Sequence, residues 1–538
     1  MSFDRDAIPE DIRGYHRRTK HAPNRYAMGP GFLDWASQPN PFRRFAGARL
    51  IPLPLLDHKE TAAFPGPAAA AAPVDAAALG LFLELAFGLS AWKSYENSTW
   101  ALRNNPSSGN LHPTECYVLL DSLAEVSETA GVYHYAPAEH ALEERAAYGA
   151  ARVLPRGGFL LALSSIAWRE AWKYGERAYR YCQLDAGHAI GAVAQAAFAL
   201  GWRASALTEP SDAEIAALIG LDREDAAHRR EPEHPDLVMW ISTEAAPAAP
   251  ALDLFALIDA PRAFHGQANR LSEDHDGWPV IDLAGQFCRK PRQAGKPVPA
   301  RAQSPAPAIE GVSIGRAVRK RRSAQRMDGE TSMPAEIFAA MLAATLPSET
   351  NLLSAFPWPT SLTLIVFVHR VDGVEPGIYA LQRDSDIAAR LRAACRKEFE
   401  WSLVDLAGLP LYRLYSGAAE KAATKLACLQ PISGKGCFSL AMIADFDQAL
   451  GEDGPFAYRR LHFEAGLIGQ AFYLWATASG FAGTGIGCFF DDEVHELLGL
   501  SPEETTFQDV YHFTVGGAID DARILTLPPY PDERRDRR

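Results

Sequence analysis

The chain has no uninterrupted apolar run long enough to cross a bilayer, which excludes a helical membrane span. Its first residues are polar, with Asp4, Arg5, Asp6, Glu10 and Asp11, so no signal-peptide core is expected. Cysteine is sparse and scattered: Cys116, Cys182, Cys288, Cys395, Cys428, Cys437 and Cys488 are odd in number and form no CxxC. That pattern argues against a disulfide framework and against a zinc site, so no metal and a cytoplasmic setting are expected. Positive charge is in deficit, 53 Lys and Arg against 66 Asp and Glu, for a net charge of −13. Without a clustered basic face, neither nucleic acid nor an anionic membrane surface is an expected partner. The terminal Glu533-Arg534-Arg535-Asp536-Arg537-Arg538 is basic, but a solvated, frayed tail is the simpler expectation.

What is present is an ordinary globular composition, 48% apolar and 22% charged, in 538 residues. That length is too great for one core. Comparison of the chain with itself shows why. Tyr179-Arg180 precedes Ala186-Gly187 as Tyr458-Arg459 precedes Ala465-Gly466, and the offset of 279 holds to Ile219-Gly220-Leu221 against Leu498-Gly499-Leu500. Upstream, Pro113-Thr114 and Gly131-Val132-Tyr133 match Pro359-Thr360 and Gly377-Ile378-Tyr379 at an offset of 246. Arg17-Arg18-Thr19 matches Arg321-Arg322-Ser323 at 304. Three blocks in one order imply a duplication.

The halves are expected at residues 1–245 and 309–538, joined by a Pro/Ala-rich linker over 246–308. Its proline density, as in Lys296-Pro297-Val298-Pro299, keeps a segment extended. Its apolar middle, Leu252 to Ile258 and Val280 to Leu283, is expected to pack along a domain surface. The Ala-rich stretch from Ala62 to Ala78 reads as a loop running into a helix. Glu115 to Leu120 and Leu362 to Val368 read as strands. Leu184 to Leu200 and Phe463 to Ala478 read as helices so poor in charge that they must be buried, with small residues allowing close approach. An α+β fold follows, an intramolecular pseudo-dimer with this helix pair at its centre.

Three segments carry chemistry. Arg321, Arg322 and Ser323, followed by Gln325, stand ahead of a helix and suit a phosphate, although a solvated basic face has the same composition. Gly483-Thr484-Gly485-Ile486-Gly487-Cys488 reads as a loop whose bare backbone admits a flat ligand; a plain turn is the other reading, and the spacing is not a dinucleotide fingerprint. Pro106-Ser107-Ser108-Gly109-Asn110-Leu111-His112-Pro113 is a rigid polar loop able to bond the edge of a heteroaromatic ring. The duplication links them. Opposite the glycines the first half has Ser205-Ala206-Leu207-Thr208, and opposite the polar loop the second half has the mostly apolar Leu352 to Pro359. Each half keeps one part of a site and lacks the other, as a single composite site requires.

These motifs, with Lys173-Tyr174-Gly175 and Arg177-Ala178-Tyr179-Arg180-Tyr181, resemble the nitroreductase superfamily and in particular its SagB/ThcOx branch. That branch includes flavin-dependent dehydrogenases that oxidise azolines to azoles in peptide natural products. The resemblance implies FMN, with Arg321, Arg322, Ser323 and Gln325 on its phosphate and ribityl chain and Arg523 nearby. It places Gly485, Ile486 and Gly487 along the isoalloxazine, with Pro106, Ser107, Ser108 and Asn110 reaching in from the other half. Gln325 departs from the basic residue usual there. Arg17-Arg18-Thr19-Lys20-His21 keeps the first half basic and leaves a second phosphate site open. Lys173 and Tyr174 become the reactive pair, a base of lowered pKa; a surface lysine beside a packing tyrosine is the plain alternative. His112 and His188 rank below them as structural histidines. The expected function is an FMN-dependent oxidoreductase, a dehydrogenase acting on a peptide-like or small heterocyclic substrate. A nitro or quinone reductase using NAD(P)H, and a non-catalytic scaffold in a peptide-modifying complex, are the other readings.

Overall fold

Two helices of 22 residues, Ala178–Ala199 and Ala457–Ala478, form the axis of the molecule. They appear in a computed structural model that describes residues 7–56, 61–67, 70–223, 230–244, 250, 252–260, 262–295, 301, 309–501, 505–531 and 535–536. Every residue of the first helix is buried, and all but Thr477 of the second. The helices lie side by side and run in the same direction, since Tyr179 stacks on Tyr458 at their starts and Gly191 meets Gln470 further along. At the crossing, a Cβ on Gly187 would sit 2.4 Å from the Phe463 carbonyl oxygen, and one on Gly466 would sit 2.1 Å from that of Leu184. Only glycine permits this approach. Both helices begin six residues earlier than their apolar runs suggest, because Tyr179 and Tyr458 pack on each other and the Arg180 guanidinium finds a buried acid.

Each helix packs beside a seven-stranded antiparallel sheet, so the fold is α+β in two like regions. The first sheet runs in the order Arg203–Ala206, Glu233–Ser242, Gly158–Ile166, Thr114–Leu120, Gly131–Ala136, Ala141–Ala147, Arg49–Pro52. The second runs Ala482–Ile486, Phe507–Gly516, Phe438–Asp445, Leu362–Val368, Gly377–Leu381, Leu411–Ser416, Ser402–Leu403. The segment Gly483 to Ile486 is therefore an edge strand and not a loop. Gly485 pairs with Phe513, and the sequence conceals this because glycine carries no strand signal.

Two of the repeat matches need correction. Leu120 pairs with Gly131 as Val368 pairs with Gly377. The Pro113 carbonyl accepts from Ile166 N–H as that of Ser361 accepts from Asp445 N–H. The strand offset is thus 248, and Pro113 corresponds to Ser361 instead of Pro359. The match at 304 does not hold spatially. The helix Ile12–Arg18 lies at the start of the central pair, where Tyr15 meets Tyr179 and Tyr458 edge-on. The helix Ile314–Lys320 instead delivers Arg321 to Tyr473, in the later part of the second central helix.

The halves are also laced together. The hairpin Leu89–Tyr95 and Ser98–Arg103 of the first half takes Leu525–Leu527 as a third strand. Tyr530 then accepts from Leu89 N–H and donates to the Pro137 carbonyl. Arg535–Asp536 pairs with Leu55–Leu56, so part of the tail expected to fray is held; Glu533, Arg534, Arg537 and Arg538 lie outside the described residues. In the segment between the halves, Leu254–Asp259 and Pro279–Phe287 are helices packed on the first half, while 296–300 and 302–308 lie outside the described residues. The Ala-rich stretch leads into the helix Ala76–Phe87, although 68–69 lie outside the described residues. Among the described residues no helix is long and apolar enough to cross a membrane.

The helix crossing makes a testable demand. Gly466→Val forces the backbones apart and should destabilise the protein by about 3 kcal/mol or more. Gly451→Ala, in an open helix position with nothing within 4 Å of the new carbon, should stabilise by about 0.5–1 kcal/mol. Thermal unfolding midpoints of the two variants against the parent decide this.

Candidate active site

A buried acid ties the halves together beside the glycine strand. Asp491 accepts from Arg180 at 2.7 Å, from Arg177 at 3.1 Å and from His21 N–H at 2.9 Å. Burial alone would raise its carboxyl, but Arg177 and Arg180 outweigh that and hold it well below the usual carboxylate range. Arg177 and the Tyr181 hydroxyl each also donate to the Gly487 carbonyl at 3.1 Å. The first-half basic segment is consumed here: Arg18 forks onto Glu176, Lys20 meets Asp492 at 2.8 Å, and the His21 ring is pushed down to about 3 by burial and then by Arg177. Arg18 and Lys20 are thus committed to acids of this chain. Asp491→Asn would leave two buried guanidiniums facing a neutral amide and should cost about 3–5 kcal/mol. Denaturant titration checks this; a loss within error of zero would show that the guanidiniums do not depend on Asp491.

Gly483 and Gly485 share one face of the strand, Gly487 follows just past its end, and aromatic rings stand against all three. An added Cβ would meet the Phe513 ring at 2.7 Å from Gly483, the Tyr511 hydroxyl at 1.8 Å from Gly485 and the Tyr181 ring at 2.4 Å from Gly487. The glycines thus make room for rings of this chain, where the sequence suggested room for a ligand alone. Gly485 N–H donates to the Tyr473 hydroxyl at 3.1 Å, and that hydroxyl bonds Ser323 Oγ at 2.8 Å. Tyr511 shares a 3.0 Å hydrogen bond with His188, whose ring burial pushes down to about 3 and so keeps neutral. Gly485 and Gly487 remain partly exposed, whereas Ile486 is buried.

Arg321 and Arg322 follow Lys320, the last residue of their helix, and pack inward. Arg321 donates to the carbonyls of Arg103 and Asn104 at 3.0 and 3.2 Å and faces the Tyr473 ring. Arg322 donates to the carbonyls of Ser90, Arg319 and Arg321. Neither guanidinium pairs with a carboxylate among the described residues. Burial pushes both pKa values down, and Arg322 falls to about 10 with Arg321 adding repulsion. Ser323 and Gln325 are exposed. Arg523 stands apart: it forks onto Asp521 and lies over the Tyr95 ring, with its side chain 71% exposed.

The polar loop is locked by its own side chains. Gly109, Asn110 and His112 all have left-handed backbones, with φ of 57, 61 and 53°. Ser107 Oγ accepts from His112 N–H, Asn110 donates to the Ala101 carbonyl at 2.9 Å, and Pro106 is buried. Ser107 and Asn110 therefore hold the loop's shape. Ser108 donates through N–H and Oγ to Asp185 at 3.0 Å. A Cβ on Gly109 would lie 2.5 Å from the Tyr174 hydroxyl and 3.2 Å from Lys173 Nζ, so the loop and the Lys-Tyr pair are in contact. Tyr174 meets Tyr181 edge-on at 4.6 Å, which connects the pair to Gly487. Burial, followed by the charge of Glu170, raises the Tyr174 phenol well above its ordinary value. The expectation of a lowered pKa fails for Tyr174, which stays protonated.

A continuous track results: Arg321, Ser323, Tyr473, Gly485, Gly487, Tyr181, Tyr174, Lys173 and the Pro106–Pro113 loop. Gln325 and Arg523 are not shown to join it. Sequence reasoning missed Tyr473 and Tyr511 and did not single out Tyr181. The repeat held the signal, since the corresponding residues of the other half are Ala194, Leu237 and Arg460. On the opposite side, Leu352–Ala355 packs onto Arg203–Ala206 with Leu352, Leu353 and Ala355 buried, which closes the pseudo-symmetric position with apolar side chains.

Comparison with protein families matches the Nitroreductase family over residues 70–228 and 318–517, one segment in each half. The chain belongs to the nitroreductase family. Members of this family are typically FMN-dependent oxidoreductases. Among solved structures, a protein from Anabaena variabilis described as a nitroreductase shares 22% identity, with 95% of this chain and 100% of that one covered and a TM-score of 0.69. A second protein of that description, from Ralstonia eutropha, shares 14% identity over 43% of this chain and 99% of its own, with a TM-score of 0.28. A chain of the Escherichia coli microcin synthetase McbBCD complex shares 20% identity over 37% of this chain and 69% of its own, at 0.24. No curated protein matches the sequence.

Proposed function

We propose that the chain is an FMN-dependent dehydrogenase that holds one FMN between its halves, residues 1–245 and 309–538, and oxidises a peptide-like or small heterocyclic substrate of the azoline type. The observation that carries this reading is the pair of adjacent, largely buried guanidiniums, Arg321 and Arg322, whose hydrogen-bond partners are carbonyls and, for Arg321, Ser323 Oγ at 3.5 Å, with no carboxylate paired to either among the described residues. A buried cation without a counter-ion is expensive, and a phosphate offsets that cost. Arg321, Arg322 and Ser323 would hold the FMN phosphate, and the partly exposed edge at Gly485 and Gly487 would lie along the ring system, faced by the Pro106–Pro113 loop. Bound there, FMN would supply two-electron redox chemistry.

The residues of the chain do the rest. Gly485 N–H donates to the Tyr473 hydroxyl, which ties this edge of the strand to Ser323. Lys173 and Tyr174 would stand at the reacting atoms of the substrate, and Tyr174, held protonated, would donate a hydrogen bond to it. The azoline class is supported by this pair's position against the polar loop and by its single occurrence, since Glu452 and Asp453 stand in its place in the second half.

Flavin released on heating should amount to one per chain; two per chain would contradict the closed pseudo-symmetric position. Ser323→Asp adds a negative charge at an exposed position, so it should leave the unfolding temperature unchanged while removing most of the flavin. Unaltered flavin content would refute the phosphate assignment. Tyr174→Phe and Lys173→Ala should each retain flavin and its reduction by dithionite, yet lower substrate oxidation by about a hundredfold to ten-thousandfold. Loss of flavin from either variant would mean that the pair holds cofactor.

A further inference from the structure

Beneath the polar loop two carboxyl groups are buried with no cation paired to either among the described residues. Asp185, on the first central helix, accepts both hydrogen bonds from Ser108. Glu170, three residues before Lys173, is fully buried, and neither of its oxygens meets an N–H or O–H donor among the described residues. The group it faces is the Asp185 carboxyl. Two carboxylates cannot satisfy one another, because both only accept; one proton between them makes a donor and an acceptor.

The duplication supplies an internal control. At the offset of 279, Asp185 corresponds to Glu464, which accepts from Ser361 N–H on its own sheet's loop at 2.9 Å. Glu464 is neutralised by the buried Arg383. Glu170 corresponds to Ala449. Both halves therefore place an acid at this point of the central helix to hold the loop. The silent half balances that acid with a guanidinium, and the half bearing Lys173 sets a second acid against it.

We propose that Glu170 and Asp185 share one proton at neutral pH and serve as a positioning pair, anchoring the loop through Ser108 and presenting one negative charge to Lys173. The neighbouring charges agree with this. Arg169, on the same helix as Glu170, is committed to Glu115, which leaves Lys173 as the cation facing the pair. Tyr174, Cys182 of the central helix and Tyr511 of the second half face it as neutral groups, each raised above its ordinary value by burial. Burial, then the charge of Asp185, raises Glu170 well above the carboxylate range, and burial raises Asp185 as well. A carboxyl raised on folding stabilises the fold fully at acid pH and loses that contribution as pH climbs through its folded value. The effect on Lys173 rests on the proposed role of that lysine; the shared proton does not.

Infrared difference spectra test the proton directly. The parent minus Glu170→Gln at neutral pH should show a protonated-carboxyl stretching band that shifts in heavy water and disappears at alkaline pH. Glu170→Gln gives Asp185 an amide donor and keeps the single charge, so its unfolding temperature should fall less than the parent's as pH rises from neutral into the alkaline range. Asp185→Asn should lose the band as well. Absence of the band in the parent, its survival in Glu170→Gln, or equal pH dependence of unfolding in both proteins would overturn the proposal. Flavin content of the same samples reports separately on the cofactor, so the two readings fail independently.

Discussion

The structure depends on how closely two helices can approach. At Gly187 and Gly466 each backbone lies against the other's carbonyls, and a methyl group at either position has nowhere to go. That contact fixes the separation of the halves, and everything composite follows from the separation. Arg177, just before the first helix, and Arg180, in its first turn, stand at the height where Asp491 begins a second-half helix. Tyr181 reaches Gly487, and His188 reaches Tyr511. A wider crossing would strand buried charges on both sides, which is why the packing and the electrostatics stand or fall together.

Much of this was legible in the sequence because burial in a long helix leaves a compositional trace. The uncharged Ala and Gly runs gave the central pair, and the strand Leu362–Val368 was readable residue for residue. The duplication was readable at 279, where helix follows helix without insertions, but short matches elsewhere misled. Pro113 and Pro359 look alike yet sit two residues out of register, and Arg17 to Thr19 imitates Arg321 to Ser323 while sitting at the other end of the helix pair. Three-residue matches carry little information, and backbone hydrogen bonding decides between them. The glycine strand was misread as a loop for a related reason. Its conformation is imposed by pairing with Phe507–Gly516 and by the rings that need its bare face, neither of which is local.

In the candidate site, the sequence identified segments better than roles. Arg321, Arg322, Ser323, Gly485, Gly487, Lys173, Tyr174 and the polar loop do converge, whereas Arg523 is paired with Asp521 at the surface. Ser107 and Asn110 spend their hydrogen bonds inside the loop. The tyrosines between the segments were overlooked because single aromatics in a helix or strand look like core. Only comparison of the halves exposes them. A chain that carries both halves can let each copy of a position take a different job, as Tyr473 and Ala194 or Asp185 and Glu464 have done.

The strand Leu525–Leu527 has a consequence for how the molecule is made. It completes a sheet whose other two strands lie more than four hundred residues earlier, and Tyr530 then seals the start of that hairpin. During synthesis the hairpin edge at Leu89–Tyr95 must wait, unpaired, while the whole second half is translated. Ser90, within the first strand of the same hairpin, and Asn104, just past the second, offer the carbonyls that receive Arg322 and Arg321. The clasp therefore closes beside the two guanidiniums only once Leu525 to Tyr530 have been made, and a product cut short before them keeps an open sheet edge of the kind that aggregates.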